Sequence, residues 1–137
     1  MLPKPDHLQR LKDYAPFLLR VVCAWKLYDA AGHTALHPAE GIPGYADWLS
    51  TLHFPFPVVA ATLSAYTEFL GAISLLLGWK TRWFCIPLVI NFILAVIAGH
   101  WAIGDSFTNT FPALILLATS LFLGIHGPGK PSIDEGI

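Results

Sequence analysis

A 21-residue apolar run from Val58 to Gly78 carries one carboxylate, Glu68, at its centre. A helix of that length spans the hydrocarbon core of a bilayer. An acid at its midpoint is destabilising by several kcal/mol unless a neighbour neutralises or hydrogen-bonds it. Two readings follow. Glu68 either fixes helix register, or belongs to a working site: a proton relay, or a quinone or substrate pocket.

The rest of the chain has the same character. Its 137 residues suit one domain; 55% are hydrophobic, and the 12% that are charged amount to half the share in an ordinary soluble domain. Mean hydropathy is +0.58. This is the composition of a membrane protein, in contact with lipid. A net charge of −1 and the lack of a long basic tract give no footprint for nucleic acid. Cys23 and Cys85 lie in separate apolar runs without a C-x-x-C, so they read as buried thiols acting as small apolar residues. Arg20 interrupts the Phe17–Trp25 stretch, and Lys26 and Asp29 follow it, which is a poor match to a secretory signal.

The expected fold is all-α, a four-helix transmembrane bundle forming one domain over residues 1–137. Its spans fall near 16–36, 58–78, 83–103 and 110–126. Pro16 suits an opening helical turn. His37 precedes Pro38, which disfavours continuing the first helix, and Gly78 suits a helix C-terminus. Pro87 predicts a slight kink rather than a break. Lys4, Arg10, Lys12, Lys80, Arg82 and Lys130 flank one side of the spans, whereas loops 37–57 and 104–109 hold no Lys or Arg. That asymmetry predicts cytoplasmic termini in an inner membrane. Trp79, Trp83 and Trp101 fall near span ends, as in an aromatic belt. In the long outer loop, Tyr45, Trp48, Leu49 and Leu52 recur at helical spacing, predicting a short amphipathic helix over 44–52 that caps the bundle. Residues 8–14 suggest a similar element on the inner side.

Depth along each span brings polar residues to one level. At 1.5 Å per residue, Lys26 and Glu68 both lie roughly 15 Å from the inner end of their spans. Asn91 is near that level, and Arg20, about 6 Å in, can snorkel inward or reach up toward it. The expectation is a buried polar layer or relay of Glu68, Arg20, Lys26 and Asn91. A second constellation faces outward. Asp29, His33 and His37 are spaced i, i+4, i+8, with His100, His53 and Tyr66 near the same surface. These are candidates for a quinone or proton site, or for unremarkable interfacial residues. His33 and His37 are weak metal candidates, because two His at i, i+4 can share an ion but no tight signature is present.

The stretch from Thr67 to Arg82, TEFLGAISLLLGWKTR, resembles the second-helix pattern E-L-x-G-G-x-x-L-x-x-G-x-x-T-R of the DoxX family. Leu18-Leu19-Arg20 is similar to the family's opening L-L-R, and Phe54-Pro55-Phe56-Pro57 to its outer G-x-P-x-P. Gly127-Pro128-Gly129-Lys130-Pro131-Ser132-Ile133-Asp134 is similar to its G-P-G-R-x-S-L-D tail. Arg20 and Glu68 occupy family positions. Where the family often has H-G-x-x-K, this chain has Asp29-Ala30-Ala31-Gly32-His33, so Lys26 matches no family position. The resemblance implies a small four-helix membrane protein working beside a partner in redox or sulfur chemistry. Relatives include a small subunit of a thiosulfate:quinone oxidoreductase, partners of thiol-stress and superoxide-detoxifying enzymes, and maturation factors for periplasmic dehydrogenases.

The chain has no dithiol, haem-ligating pattern or nucleotide loop, so electron transfer by this chain alone is not expected. The leading expectation is a non-catalytic subunit of a redox-linked complex, anchoring a partner or forming part of a quinone-proximal site. Quinone is the one cofactor class raised. Alternatives are a structural accessory chain, with Gly71, Ser74 and Gly78 as its close-packing face, or a small proton-coupled transporter. The latter would have to dimerise, because no pseudo-symmetric halves are visible. Either a protein partner or a homo-oligomer is expected.

Overall fold

Prolines and glycines punctuate the chain into helices joined by very short turns. The computed structural model describes residues 6–137, and among them every regular element is helical. In order these are α1 (Asp6–Leu11), α2 (Ala15–Leu36), α3 (Pro38–Thr51), α4 (Pro57–Leu77), α5 (Thr81–Leu94) and α6 (Phe107–His126). Beyond Leu94, α5 continues as a π-helical turn, Ala95–His100, and a 3-10 turn, Trp101–Ile103. Three helices are long and apolar enough to cross a membrane: Pro57–Leu77, Thr81–Ile103 and Phe107–His126. Lys4, counted in the charge asymmetry, lies outside the described residues.

Two elements are longer than their sequence patterns suggest. Helix α3 begins at Pro38 rather than residue 44, because proline at a first helical position gives up no needed N–H. A single residue, His37, separates it from α2. Gly41 permits that elbow, since a Cβ there would sit 2.7 Å from Thr34. Helix α6 begins at Phe107 rather than 110, because the Ser106 hydroxyl accepts from the Asn109 N–H at 3.2 Å and caps it.

The core forms where small residues let backbones approach. Lipid tails are as apolar as leucine, so packing and hydrogen bonds, not escape from water, hold such helices together. On α4 the buried positions Ala61, Ala65, Ala72 and Leu75 form one stripe, and Glu68 falls in step with it. Helix α2 presents Cys23, Ala24, Leu27, Ala31 and Ala35 as its buried stripe. The two run antiparallel along their whole length: Arg20 reaches Leu75, Tyr28 lies 6.4 Å from Phe69, and Tyr66 donates to the Ala35 carbonyl at 2.9 Å. Gly71 takes the side chain of Leu88 from α5, so the small residues of α4 serve contacts within the chain. Cys23 and Cys85 are free thiols in the core.

At one end of the bundle the segment after α6 folds back as a strap. Its Lys130 N–H donates to the Asp13 carbonyl at 2.6 Å. Ile133 and Asp134 N–H donate to Leu77 and Gly78 carbonyls at 3.1 and 2.9 Å, covering the orphan end of α4. Asp134 caps α5 from a distance: its two carboxylate oxygens accept from the N–H groups of Lys80 and Thr81 at 2.8 and 2.9 Å. An anion is favoured at that position by the helix dipole. Arg20, fully buried, completes the knot. It donates through Nη1 to the Leu75 carbonyl at 3.1 Å and through Nη2 to the Pro131 carbonyl, with the Phe17 ring 5.4 Å from its guanidinium carbon.

Candidate functional site

Away from the strap, α3, α4 and α5 enclose a cavity of about 430 Å³. Its walls are mostly apolar, with Trp48, Leu49, Leu63 and Leu94 among them; Asn91, the Tyr45–Ser64 pair, His100 and Thr67 supply its polar lining. Concave apolar sites with a few placed polar groups are the usual form of small-molecule pockets. A larger groove of about 550 Å³ runs between α5 and α6, but beyond Arg82 and Ser120 nearly all of its lining is apolar. Polar groups converge only in the smaller cavity, which we take as the candidate site.

The first polar group is Asn91, whose Nδ2 donates to Glu68 Oε1 at 3.0 Å. With its amide nitrogen engaged, Asn91 keeps Oδ1 as a free acceptor. The second is the Tyr45 hydroxyl, 2.8 Å from Ser64 Oγ, with Tyr45 stacked on Trp48 at 6.0 Å. Burial pushes the Tyr45 phenol above its usual range, so it stays protonated. The third is His100, in the π-helical turn whose Ala95, Ala98 and Gly99 also line the cavity. Such turns recur at functional sites because they re-aim a side chain within a helix.

His100 is oriented from behind. Its Nδ1 lies 2.7 Å from Asp105 Oδ2, while Asp105 Oδ1 accepts from the Ser106 N–H and Asn109 Nδ2, each at 2.8 Å. Donation from Nδ1–H to a carboxylate fixes the ring and, in the neutral imidazole, leaves Nε2 as an acceptor. The bonds from His100, Asn109 and Ser106 hold the Asp105 carboxyl below the usual range. A depressed carboxyl contributes stability above its unfolded pKa, and that contribution fades as pH falls through the lowered value. The α5–α6 loop is therefore expected to stay fastened through the ordinary carboxylate range and to loosen only at more acidic pH. The carboxyl carbon of Asp105, followed by NMR in detergent, should titrate below the ordinary aspartate range; an ordinary midpoint would contradict the arrangement.

The structure separates the other sequence candidates. Glu68 and Asn91 meet, but Arg20 does not reach toward them. Its guanidinium extends the opposite way, to the carbonyl end of α4 and the strap, where a cation is favoured by the helix dipole. Lys26 does not join the layer either: it pairs with Asp29, one turn on, at 3.3 Å on the outward face of α2. Asp29 is thereby parted from His33, which stacks on His37 at 4.9 Å and lies 3.5 Å from Glu40 with both side chains 69% exposed. Tyr66 is spent on Ala35, and His53 is exposed in the α3–α4 turn. So Asp29, His33, Tyr66 and His100 form no common site. Among the described residues no group of three or more His, Cys, Asp or Glu is gathered for a metal, which leaves His33 and His37 without a third ligand.

Asp105, Asn109, Ser64 and Tyr45 as a polar group escaped sequence reading. A signal for the first two existed: Asp-Ser-x-x-Asn before an apolar run is a helix N-terminus that can also hold a neighbouring donor. Tyr45 was visible only as one apolar face of α3.

Residues 15–101 match the profile of the DoxX family. Over 106 residues, 69% of this chain and 73% of the relative, the sequence is 31% identical to the inner membrane protein YphA of Escherichia coli strain K12. No solved structure matches.

Proposed function

The chain belongs to the DoxX family, and from that premise we propose that it is an inner-membrane subunit of a redox-linked complex that binds a quinone-type ligand between α3, α4 and α5. The carrying observation is the Asn91 amide, fixed by Glu68 in the wall of an apolar cavity. The free groups are Asn91 Oδ1, His100 Nε2 and one hydroxyl of the Tyr45–Ser64 pair. The Thr67 hydroxyl also lines the cavity; the Asn91 oxygen and the neutral His100 nitrogen can only accept, so the donor-bearing reduced form, a quinol, fits better than the quinone. When bound, such a ligand supplies two-electron, two-proton chemistry. This chain would orient the ring through Asn91, exclude water with Trp48 and Leu49, and take a proton at His100 Nε2, steadied by Asp105.

In this reading α2 is a fourth crossing beside the three apolar helices. Its 22 residues match the bilayer, and it tracks α4 from end to end. The Lys- and Arg-bearing turns gather at the strap end, which supports a cytoplasmic location for both termini. Helix α3 would lie at the outer surface as the roof of the cavity.

The test is binding of a short-chain benzoquinone and its quinol to protein in lipid nanodiscs, read by quenching of tryptophan fluorescence. Asn91→Leu should weaken quinol binding about tenfold, the share of one buried hydrogen bond. Glu68→Gln should remain folded and weaken it less. Loss of folded protein in Glu68→Gln, with quinol binding absent in the wild type, would instead assign Glu68 to helix packing.

A further inference from the structure

The outward face of α2 is unlike the surface of a helix that meets lipid. Leu18, Val22, Trp25, Asp29 and His33 form one exposed stripe at helical spacing, and Lys26 stands beside it. Lys26 and Asp29 are 48% and 64% exposed as side chains and occupy the middle of the helix. A four-carbon stem covers only about 6 Å of the roughly 15 Å to either surface, so Lys26 cannot snorkel out. Their mutual contact at 3.3 Å uses one of three ammonium donors and leaves most carboxylate lone pairs unfilled. Left facing acyl chains, the pair would be strongly unfavourable.

We propose that this face is the interface of a twofold homodimer, in which Lys26 of each copy pairs with Asp29 of the other across an apolar seam of Leu18, Val22 and Trp25. Charge complementarity selects a second copy. A twofold axis along the membrane normal sets equal depths side by side, and a patch with one cation and one anion is then its own complement. The offset of three residues is about 4.5 Å along the helix, within the reach of a lysine. Each charge gains a second partner, and the exposed ring of Trp25 finds the central, desolvated position where interface aromatics contribute most. The proposal rests on α2 crossing the bilayer, as read above, and not on the quinone cavity.

Oxidative crosslinking of Trp25→Cys in native membranes tests it, since Cys23 and Cys85 are buried in the core. A product of twice the chain mass is expected from Trp25→Cys and none from Ile115→Cys, which is exposed on α6. Adding Lys26→Asp, which makes the patch wholly acidic, or Asp29→Lys, which makes it wholly basic, should abolish the product. Co-expressing the two charge variants with different tags should restore it as a mixed dimer only. Absence of a product from both Trp25→Cys and Val22→Cys, the latter keeping the indole in place on the same exposed stripe, or a product of another mass, overturns the homodimer even if neither charge variant accumulates. Reaction of Trp25→Cys with a membrane-impermeant maleimide in opened vesicles would also overturn it, and it alone would place this face in water and remove the fourth crossing itself.

Discussion

Arg20→Leu is expected to unfasten one end of the bundle and lower stability by roughly 3 kcal/mol or more. The substitution leaves the buried carbonyl of Leu75 and the partly buried one of Pro131 without their donors; a buried orphan is destabilising by about 1–3 kcal/mol, and one that water can reach by less. It also removes the cation from the negative end of the α4 dipole. Against a total of about 5–15 kcal/mol, that is a large share. Arg20→Lys should fall between the two, because one ammonium cannot reproduce the planar fork that spans both carbonyls. Thermal unfolding in detergent reads the loss directly. A glutamate-specific protease should also cut after Glu135 faster in Arg20→Leu, as the strap lifts. A variant that melts like wild type with its strap still protected would show that the guanidinium fastens nothing.

Gly78→Ala should weaken the same junction from the other side. Gly78 has φ of +64°, where an L-residue costs about 1–2 kcal/mol. A methyl there would also run into Ser132 of the strap and the Arg20 guanidinium, adding a packing penalty of about 1–3 kcal/mol. Lys80, two residues on, is a control for the backbone contribution without a packing clash, its ammonium lying 5.0 Å from the Trp79 ring, a contact that contributes about 0.5–1 kcal/mol at an exposed site. Its φ is +49° but its side chain is exposed, so Lys80→Gly should be neutral or slightly stabilising. Equal melting temperatures for Gly78→Ala and wild type would mean that the turn tolerates a side chain and that the strap does not press on it.

Much of this was legible from residue pattern because lipid imposes long apolar runs and prolines mark their limits. The helices around 58–78 and 83–103 need little more than that. The meeting of Glu68 with Asn91 followed from counting residues along neighbouring helices. The same counting left Arg20 two directions, inward or up toward the Glu68 layer, and the structure takes the inward one. Counting alone does not choose between them, because an arginine extends about 6 Å in either direction. The competing acceptors were carbonyls of an aperiodic segment, which has no side-chain signature. Lys26 went astray for a related reason, since a carboxylate three residues along the same helix is nearer than any group across the interface. Gly78, Ser132 and Asp134 were visible as motif letters, but only coordinates join them into one knot with Arg20. Many family-pattern positions thus meet at the strap, with Glu68 and Phe54 at the cavity, while Tyr45 and Ser64 of the cavity lie outside the quoted patterns.

The strap has a consequence for biogenesis. Residues 130–135 leave the ribosome after every helix they tie down, so the helices must wait in the bilayer with the α4 carbonyls and the first α5 N–H groups unsatisfied. Nascent chains halted before Pro131 should therefore be inserted yet remain substrates for membrane proteases. Arrival of the strap, rather than insertion of the helices, is then the step that commits this protein to its final form.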